Sequence, residues 1–178
     1  MLIKKYTARW IESFASLQHE IEKCLVGIEH RIEHVGSTSV HELDAKDIID
    51  IDIIYQNETD FDKVKAGLAS IGYYHNGDQG IKGREVFKRA GSSRNHILDG
   101  ITHHLYVCHT GSKALERHLL FRDFLRKHAW ARLKYQQMKY DLAVEANQNK
   151  ERYAVLKEAR VNDFIDSVIE LEKAGHSS

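Results

Sequence analysis

Two aspartates stand one residue apart inside an apolar, β-branched run, Ile48-Ile49-Asp50-Ile51-Asp52-Ile53-Ile54-Tyr55. Side chains of a strand alternate between faces, so Asp50 and Asp52 point the same way, about 7 Å apart. Ile49, Ile51 and Ile53 then point the opposite way and can enter a core. Two like charges side by side in such surroundings are costly unless a cation or hydrogen-bond donors compensate them. An inward charge that protects a sheet edge is the bland alternative, and it accounts for one Asp better than for two. Paired carboxylate oxygens suit Mg²⁺ or Mn²⁺. A cation held there bridges to nucleotide phosphates and offsets the charge of a leaving pyrophosphate. Asp47 has the other parity and is not counted as a ligand.

The second constellation is the small-residue turn Gly36-Ser37-Thr38-Ser39. Gly36 lets the backbone come close to a ligand. Ser37, Thr38 and Ser39 bring hydroxyls, and exposed N–H groups in such a turn can cradle phosphate. A helix N-cap is the bland reading of the same residues. Cations to offset phosphate charge are available in Lys46, Arg84 and Lys88, the last two sharing parity on one expected strand. Arg122 and Arg126 are four apart, hence on one helix face. Their mutual repulsion calls for an anion, either Asp123 or a ligand phosphate, and Arg suits both. Lys82 and Arg89 read as solvated surface. The 12 histidines show no HExxH or HxD-type spacing, so a histidine-based metal hydrolase is the weakest reading.

The elements that must hold these residues follow from periodicity. Residues 8 to 25 read as an amphipathic helix with Trp10, Phe14, Leu17, Ile21 and Leu25 on one side, Thr7 as N-cap and Gly27 at its end. A short strand at 30 to 35 runs into the Gly36 turn, and 48 to 55 is the strongest strand signal. Asp60 to Ile71 reads as a helix ending at Gly72. Weaker strands follow at Tyr73 to His75, Arg84 to Arg89 and His103 to Cys108. On the last, Leu105 and Val107 face the core, and His104 and Tyr106 the cleft. Residues 112 to 173 contain no Gly and are rich in Leu, Lys, Arg, Glu and Ala, which predicts three or four helices. The expected class is α+β. Residues 1–178 form a single domain, with an α/β core at about 28–110 and a helical section at about 112–173 packed on it.

The chain of 178 residues can bury a real core. Lys+Arg and Asp+Glu are both 26, so no global field draws it to bulk nucleic acid or to anionic lipid, and any anion site is local. No apolar run follows the N-terminal charges, so neither a signal peptide nor a membrane span is expected. With only Cys24 and Cys108, outside any CxxC pair, this points to the reducing cytoplasm and to small core residues. Proline is absent from the sequence, so turns rest on Gly, Asn, Asp and Ser.

The order of strand, Gly-Ser turn, connection and Asp-x-Asp strand resembles the nucleotidyltransferase superfamily of DNA polymerase beta type. There a Gly-Ser turn binds the triphosphate and a downstream Asp-x-Asp binds metal. More narrowly, Glu33-His34-Val35-Gly36-Ser37-Thr38-Ser39-Val40, Ala45-Lys46 and Ile48-Ile49-Asp50-Ile51 look like the GrpB family. So do His103-His104-Leu105-x-Val107, Phe121-Arg122-Asp123-Phe124-Leu125-Arg126, Tyr135-x-x-Met138-Lys139 and Tyr153-x-x-x-Lys157. The resemblance covers nearly the whole chain in order. It departs at His41-Glu42 and at Asp47, where the family usually has Pro-Gly and Pro, and at Tyr106, where it tends to have His. Lys139 and Lys157 match family positions, although lysines on helices ordinarily face solvent.

The resemblance implies a nucleotidyltransferase-like mixed sheet with flanking helices. It also implies nucleotide or coenzyme chemistry, since some GrpB domains are fused to dephospho-CoA kinase. Active superfamily members place a third carboxylate on a later strand, and here His104 occupies the expected place. The expected function is metal-dependent nucleotidyl transfer, with Asp50, Asp52 and His104 catalytic. The substrate would be a nucleotide or other phosphorylated small molecule. The alternative is a non-catalytic nucleotide- or phosphate-binding module that keeps the fold.

Overall fold

A computed structural model describes residues 1–91 and 94–175, and these residues form one five-stranded mixed sheet and six helices. In chain order these are α1 (Arg9–Glu22), β1 (His30–Val35), a 3₁₀ turn (Ser37–Ser39), β2 (Ile49–Tyr55), α2 (Asp60–Ser70), β3 (Tyr73–His75), β4 (Glu85–Arg89), α3 (His96–Gly100), β5 (His103–His109), α4 (Lys113–Lys127), α5 (Ala129–Glu145) and α6 (Lys150–Gly175).

The strand order is β1-β2-β5-β4-β3. Only β2 and β5 run parallel, with Asp50 beside His104 and Asp52 beside Tyr106. The carboxylate strand is therefore interior, paired on its other edge with β1, where Glu33 faces Asp52 and Val35 faces Asp50. An interior strand buried on both faces suits the isoleucine-rich run around the two aspartates.

Alternation along β2 divides the molecule. Ile49, Ile51 and Ile53 join Trp10, Leu17, Ile21, Val64, Leu68 and Leu98 in a core beneath α1, α2 and α3. The opposite face carries Asp50 and Asp52, and beyond them Ile54 and Cys108 pack on Leu115 of α4. A second core lies within the helical section, where Phe124, Leu125, Tyr135, Leu142, Val161, Phe164 and Val168 come together. His128 ends α4 and begins α5, so the two helices share one corner residue.

Local details depart modestly from the sequence reading. Helix α1 stops at Glu22, and Leu25 packs into the core from the turn that follows. Thr7 is not the N-cap: the cap is Ala8, which has no side-chain capping bond, and Thr7 accepts from Arg9 N–H at 3.3 Å from one residue further out. The short helix α3 has no apolar period to announce it. Asn95 caps it, accepting from the N–H groups of Ile97 and Leu98. No described helix is long and apolar enough to cross a membrane.

Asp44 ties the N-terminal segment and α5 to the loop before β2. Its buried carboxylate accepts from Tyr6 N–H at 2.8 Å, Tyr140 Oη at 2.7 Å and Lys5 Nζ at 3.0 Å. Its backbone carbonyl accepts from Lys139.

Candidate functional site

Gly36 turns the chain from β1 into the 3₁₀ turn with φ of 70°, a conformation that favours glycine. A Cβ here would stand 2.9 Å from Asp50 Cγ and nearer still to Oδ2. The turn and the first carboxylate are therefore in direct contact.

Each residue of the turn has a separate task. Thr38 is buried, and its hydroxyl donates to Ile48 C=O at 3.2 Å. That proton being spent, Thr38 Oγ1 accepts from His34 Nε2 at 3.0 Å, which fixes the His34 tautomer. Ser39 Oγ donates back to Gly36 C=O at 2.6 Å. Ser37 lines the cavity described below with its hydroxyl uncommitted among the described residues.

Each aspartate gives one oxygen to a histidine. Asp50 Oδ1 accepts from His104 Nδ1 at 2.9 Å, across the parallel ladder. Asp52 Oδ2 accepts from His118 Nδ1 at 2.8 Å, from α4 above the sheet. The remaining oxygens differ in setting. Asp50 Oδ2 lies against Gly36, whereas Asp52 is wholly buried and its Oδ1 has no hydrogen-bond partner. Burial alone would push the Asp50 carboxyl up. The His104 hydrogen bond and the charges of His104, Lys157 and His118 outweigh it and hold the group below the usual carboxylate range.

A cavity of about 400 Å³ opens between this sheet face and helices α4, α5 and α6. Its walls carry Lys46, Arg84, Arg117, Arg122, Lys139 and Lys157, and among the described residues Asp50 is the only acidic one there. In a chain with no net charge, this is a strongly local positive field. Arg117 is spent on Asp166, and Arg122 on Glu33, Asp123 and His34 C=O. Lys46, Arg84 and Lys157 have no carboxylate within ion-pair distance among the described residues. Arg84 stacks on the Tyr106 ring at 4.6 Å, and its Nε is buried without a partner. Lys46 sits over the Tyr153 ring at 5.2 Å, and burial together with nearby Lys157 lowers its pKa. Lys157 goes the other way: Tyr135 foremost, then Tyr153 and Asp50, outweigh burial and keep it an ammonium.

The residues singled out in the sequence thus separate. Gly36, Ser37, Thr38, Lys46, Asp50, Arg84, His104 and Arg122 all line the cavity. Asp52 lies beneath His118 and is not part of the wall. Ser39 and Arg126 hold each other, Arg126 Nη2 donating to Ser39 C=O at 2.9 Å. Lys88 lies on the exposed side of β4 and lines a separate hollow with Val86 and Thr102. The expectation that helix lysines 139 and 157 face solvent is corrected. Lys139 is 2% exposed, and both line the cavity because α5 and α6 pack over the sheet. His118 is the site residue that the sequence reading omitted. The available signal was its place one helical turn before Arg122, on the same face.

The carboxylates can be tested against a divalent cation. Each keeps one oxygen that no described donor occupies, and Asp52 Oδ1 is an orphaned buried acceptor. Oxygen donors of this kind are the type that suits Mg²⁺ or Mn²⁺, but among the described residues no group of three or more His, Cys, Asp or Glu side chains stands together to hold one. His104 gives its Nδ1 to Asp50, and its Nε2 has no partner among the described residues. It stands as a partner that orients that carboxylate.

The mixed five-stranded sheet with its flanking helices resembles a nucleotidyltransferase-like fold. Two solved structures share it at 15% identity. One is Cid1 in complex with its short product ApU, at a TM-score of 0.55 over 79% of this chain and 42% of that one. The other is a Cid1 poly(U) polymerase mutant bound to MgATP, at 0.58 over 83% and 46%.

Within that fold, the GrpB protein family model matches residues 1–169, and the chain belongs to this family. The crystal structure of the conserved protein GrpB from Enterococcus faecalis is 27% identical. It superposes with a TM-score of 0.76 over 94% of this chain and 97% of that one. UPF0157 protein YqkA of Bacillus subtilis is 35% identical over 141 residues, 79% of this chain but 39% of its own length. The glutamate-rich protein GrpB of Alkalihalophilus pseudofirmus is 25% identical over 94% of this chain and 95% of its own.

Proposed function

We propose that the cavity binds a nucleoside triphosphate and that the chain transfers its nucleotidyl group to an acceptor, with Mg²⁺ or Mn²⁺ held by Asp50 and Asp52. The observation that carries this reading is the contact of Asp50 with Gly36 at the wall of a cavity in which Asp50 is the single carboxylate, among the described residues, facing several cations. Ser37 hydrogen-bonds a phosphate oxygen. Lys46, Lys157 and Arg84 neutralise the phosphate chain and the charge that gathers on the leaving pyrophosphate. His104 keeps Asp50 oriented and ionised. The bound cation would add charge neutralisation between the carboxylates and the phosphates. The helices that roof the cavity exclude bulk water and strengthen each of these interactions. The cytoplasm, where nucleotides are abundant and thiols stay reduced, is the compartment this reading requires.

The test is incubation with the four ribonucleoside triphosphates, Mn²⁺ or Mg²⁺, and a cell extract as acceptor source. Pyrophosphate release that disappears in the Asp50→Asn/Asp52→Asn variant supports the reading. Nucleotide affinity with no release under either ion overturns transfer.

One feature favours a second reading, a binding module without transfer. His118 covers Asp52 and keeps it off the cavity wall. In that case nucleotide affinity is indifferent to the double Asn variant and to chelation of divalent ions.

A further inference from the structure

Among the described residues, three lysines line the cavity, and they differ in what acts on their charge. Lys157 is held as an ammonium, with Tyr135 foremost among the causes. Lys46 is only partly buried, and the Asp50 charge favours its protonated form. Lys139 is almost wholly buried, and its Nζ donates to a neutral acceptor, the backbone carbonyl of Asp44. The Asp44 carboxylate is itself committed to Tyr6 N–H, Tyr140 and Lys5. Burial first, and then the like charge of Lys157, push the Lys139 amine well below the ordinary lysine range, against the pull of Asp44. At pH 7 an ordinary lysine is only about one part in 2,500 unprotonated. Desolvation and a neighbouring cation are the conditions that make a lysine a nucleophile.

The Tyr135 ring sets the geometry. Lys139 Nζ stands 4.8 Å from its centroid and Lys157 Nζ 5.9 Å. An amine and an ammonium therefore share one ring, and all three side chains line the cavity. An anionic group held by Lys157 brings the rest of a small molecule beside Lys139. Lys46 and Arg84 also line the cavity and supply the further charge that a phosphate calls for.

We propose that Lys139 is an amine nucleophile that condenses with a small aldehyde or ketone carrying a phosphate, giving an imine and water. The Nζ lone pair attacks the carbonyl carbon, and a C–N bond forms as the C=O π pair moves to oxygen. Both Nζ hydrogens leave with that oxygen as water, and the electrons of an N–H bond complete C=N. One proton from solvent gives the iminium, whose N–H takes over the bond to Asp44 C=O. No oxidant or reductant is consumed. This activity goes beyond the nucleotide reading and does not depend on it.

Trapping decides it. The full chain is incubated at pH 7 with one equivalent of pyridoxal 5′-phosphate, or of pyridoxal without the phosphate, and reduced with borohydride. Mass spectrometry of its peptides then locates the secondary amine. Lys139 is expected to carry at least about tenfold more label than any exposed lysine. Pyridoxal should label it at least about tenfold less than the phosphate ester does. The preference should vanish in urea, where every lysine returns to its ordinary value. In Lys139→Arg, which keeps a donor for Asp44 C=O, no lysine should rise above the background of the exposed ones. The wild-type labelling decides the matter where that variant fails to fold. Label spread evenly over exposed lysines, or concentrated on Lys46 or Lys157, overturns the inference. Equal labelling by pyridoxal, or a preference that persists in urea, overturns it as well. Lys139 is then a tether between α5 and the loop before β2, and the nucleotide reading stands.

Discussion

Asp52 and His118 form a part-buried hydrogen bond between strand and helix, Nδ1 to Oδ2 at 2.8 Å, although 66 residues separate them in sequence. The imidazole supplies the carboxylate's single donor, because Asp52 Oδ1 has none. Removing His118 therefore strands a buried charge, whereas removing Asp52 leaves a partly exposed imidazole that water can serve. His118→Ala is expected to cost about 2–4 kcal/mol and Asp52→Ala less. In the Asp52→Ala background the cost of His118→Ala should fall by about 1–3 kcal/mol. Urea denaturation of the four proteins measures this; strict additivity would show that the bond contributes nothing.

Gly36 has no room for a side chain, and its φ of 70° disfavours one in any case. Gly36→Ala should lower stability by about 1–3 kcal/mol. It should also displace the Asp50 carboxylate, so triphosphate affinity falls in the same variant. Unchanged stability together with unchanged affinity would refute the contact.

His34 is stacked on Phe14, with ring centroids 4.6 Å apart, and burial pushes its pKa down to about 4. Asp50 pulls it up and Arg126 and Arg122 push it down, but burial dominates. The ordinary histidine value is about 6.5, so the unfolded chain takes up a proton before the folded one does. Stability from this group is complete above pH 6.5 and declines as pH falls toward 4, by as much as about 3 kcal/mol. Denaturation midpoints at pH 7.5, 6 and 5 should show the decline, and it should shrink in His34→Gln.

Arg122 and Arg126 were equally suited to a ligand phosphate and to internal pairing. The structure gives Arg122 to Glu33, Asp123 and His34 C=O at 9% exposure, and Arg126 to Ser39 C=O. Arg122→Ala should destabilise by about 2–4 kcal/mol, through carboxylates left without their cation. Arg126→Ala should leave triphosphate affinity within about twofold at matched salt, as its cost falls on the turn. A tenfold loss of affinity in Arg126→Ala would assign that guanidinium to the ligand instead.

How far the sequence revealed this site depends on the distance over which each relation acts. Asp50 and Asp52 were legible because strand alternation needs only two residues of context, and the Gly36 turn because glycine restricts so few alternatives. His104 followed from the same alternation on β5. His118, Lys139 and the Asp44 hub were not legible. Their roles depend on how α4 and α5 settle on the sheet, and helix periodicity states a face without stating what covers it. Asp44 looked like one more loop carboxylate, yet its partners Tyr6 and Tyr140 lie 38 and 96 residues away.

The parallel pairing of β2 with β5 has a consequence for the order in which the molecule is made. Asp50 meets His104 across 54 residues and Asp52 meets His118 across 66, whereas α4, α5 and α6 are sequence neighbours. Contacts between distant segments incur loop-closure entropy before they yield anything, and slow the chain that depends on them. On the ribosome, the carboxylates, the glycine turn and their imidazole partners emerge well before Tyr153 and Lys157. A nascent chain that has not released α6 has Asp50 and the glycine turn of its cavity without the cation that α6 supplies. Nucleotide added during synthesis should therefore protect only chains whose α6 has cleared the exit tunnel, which timed proteolysis of stalled chains of increasing length can measure.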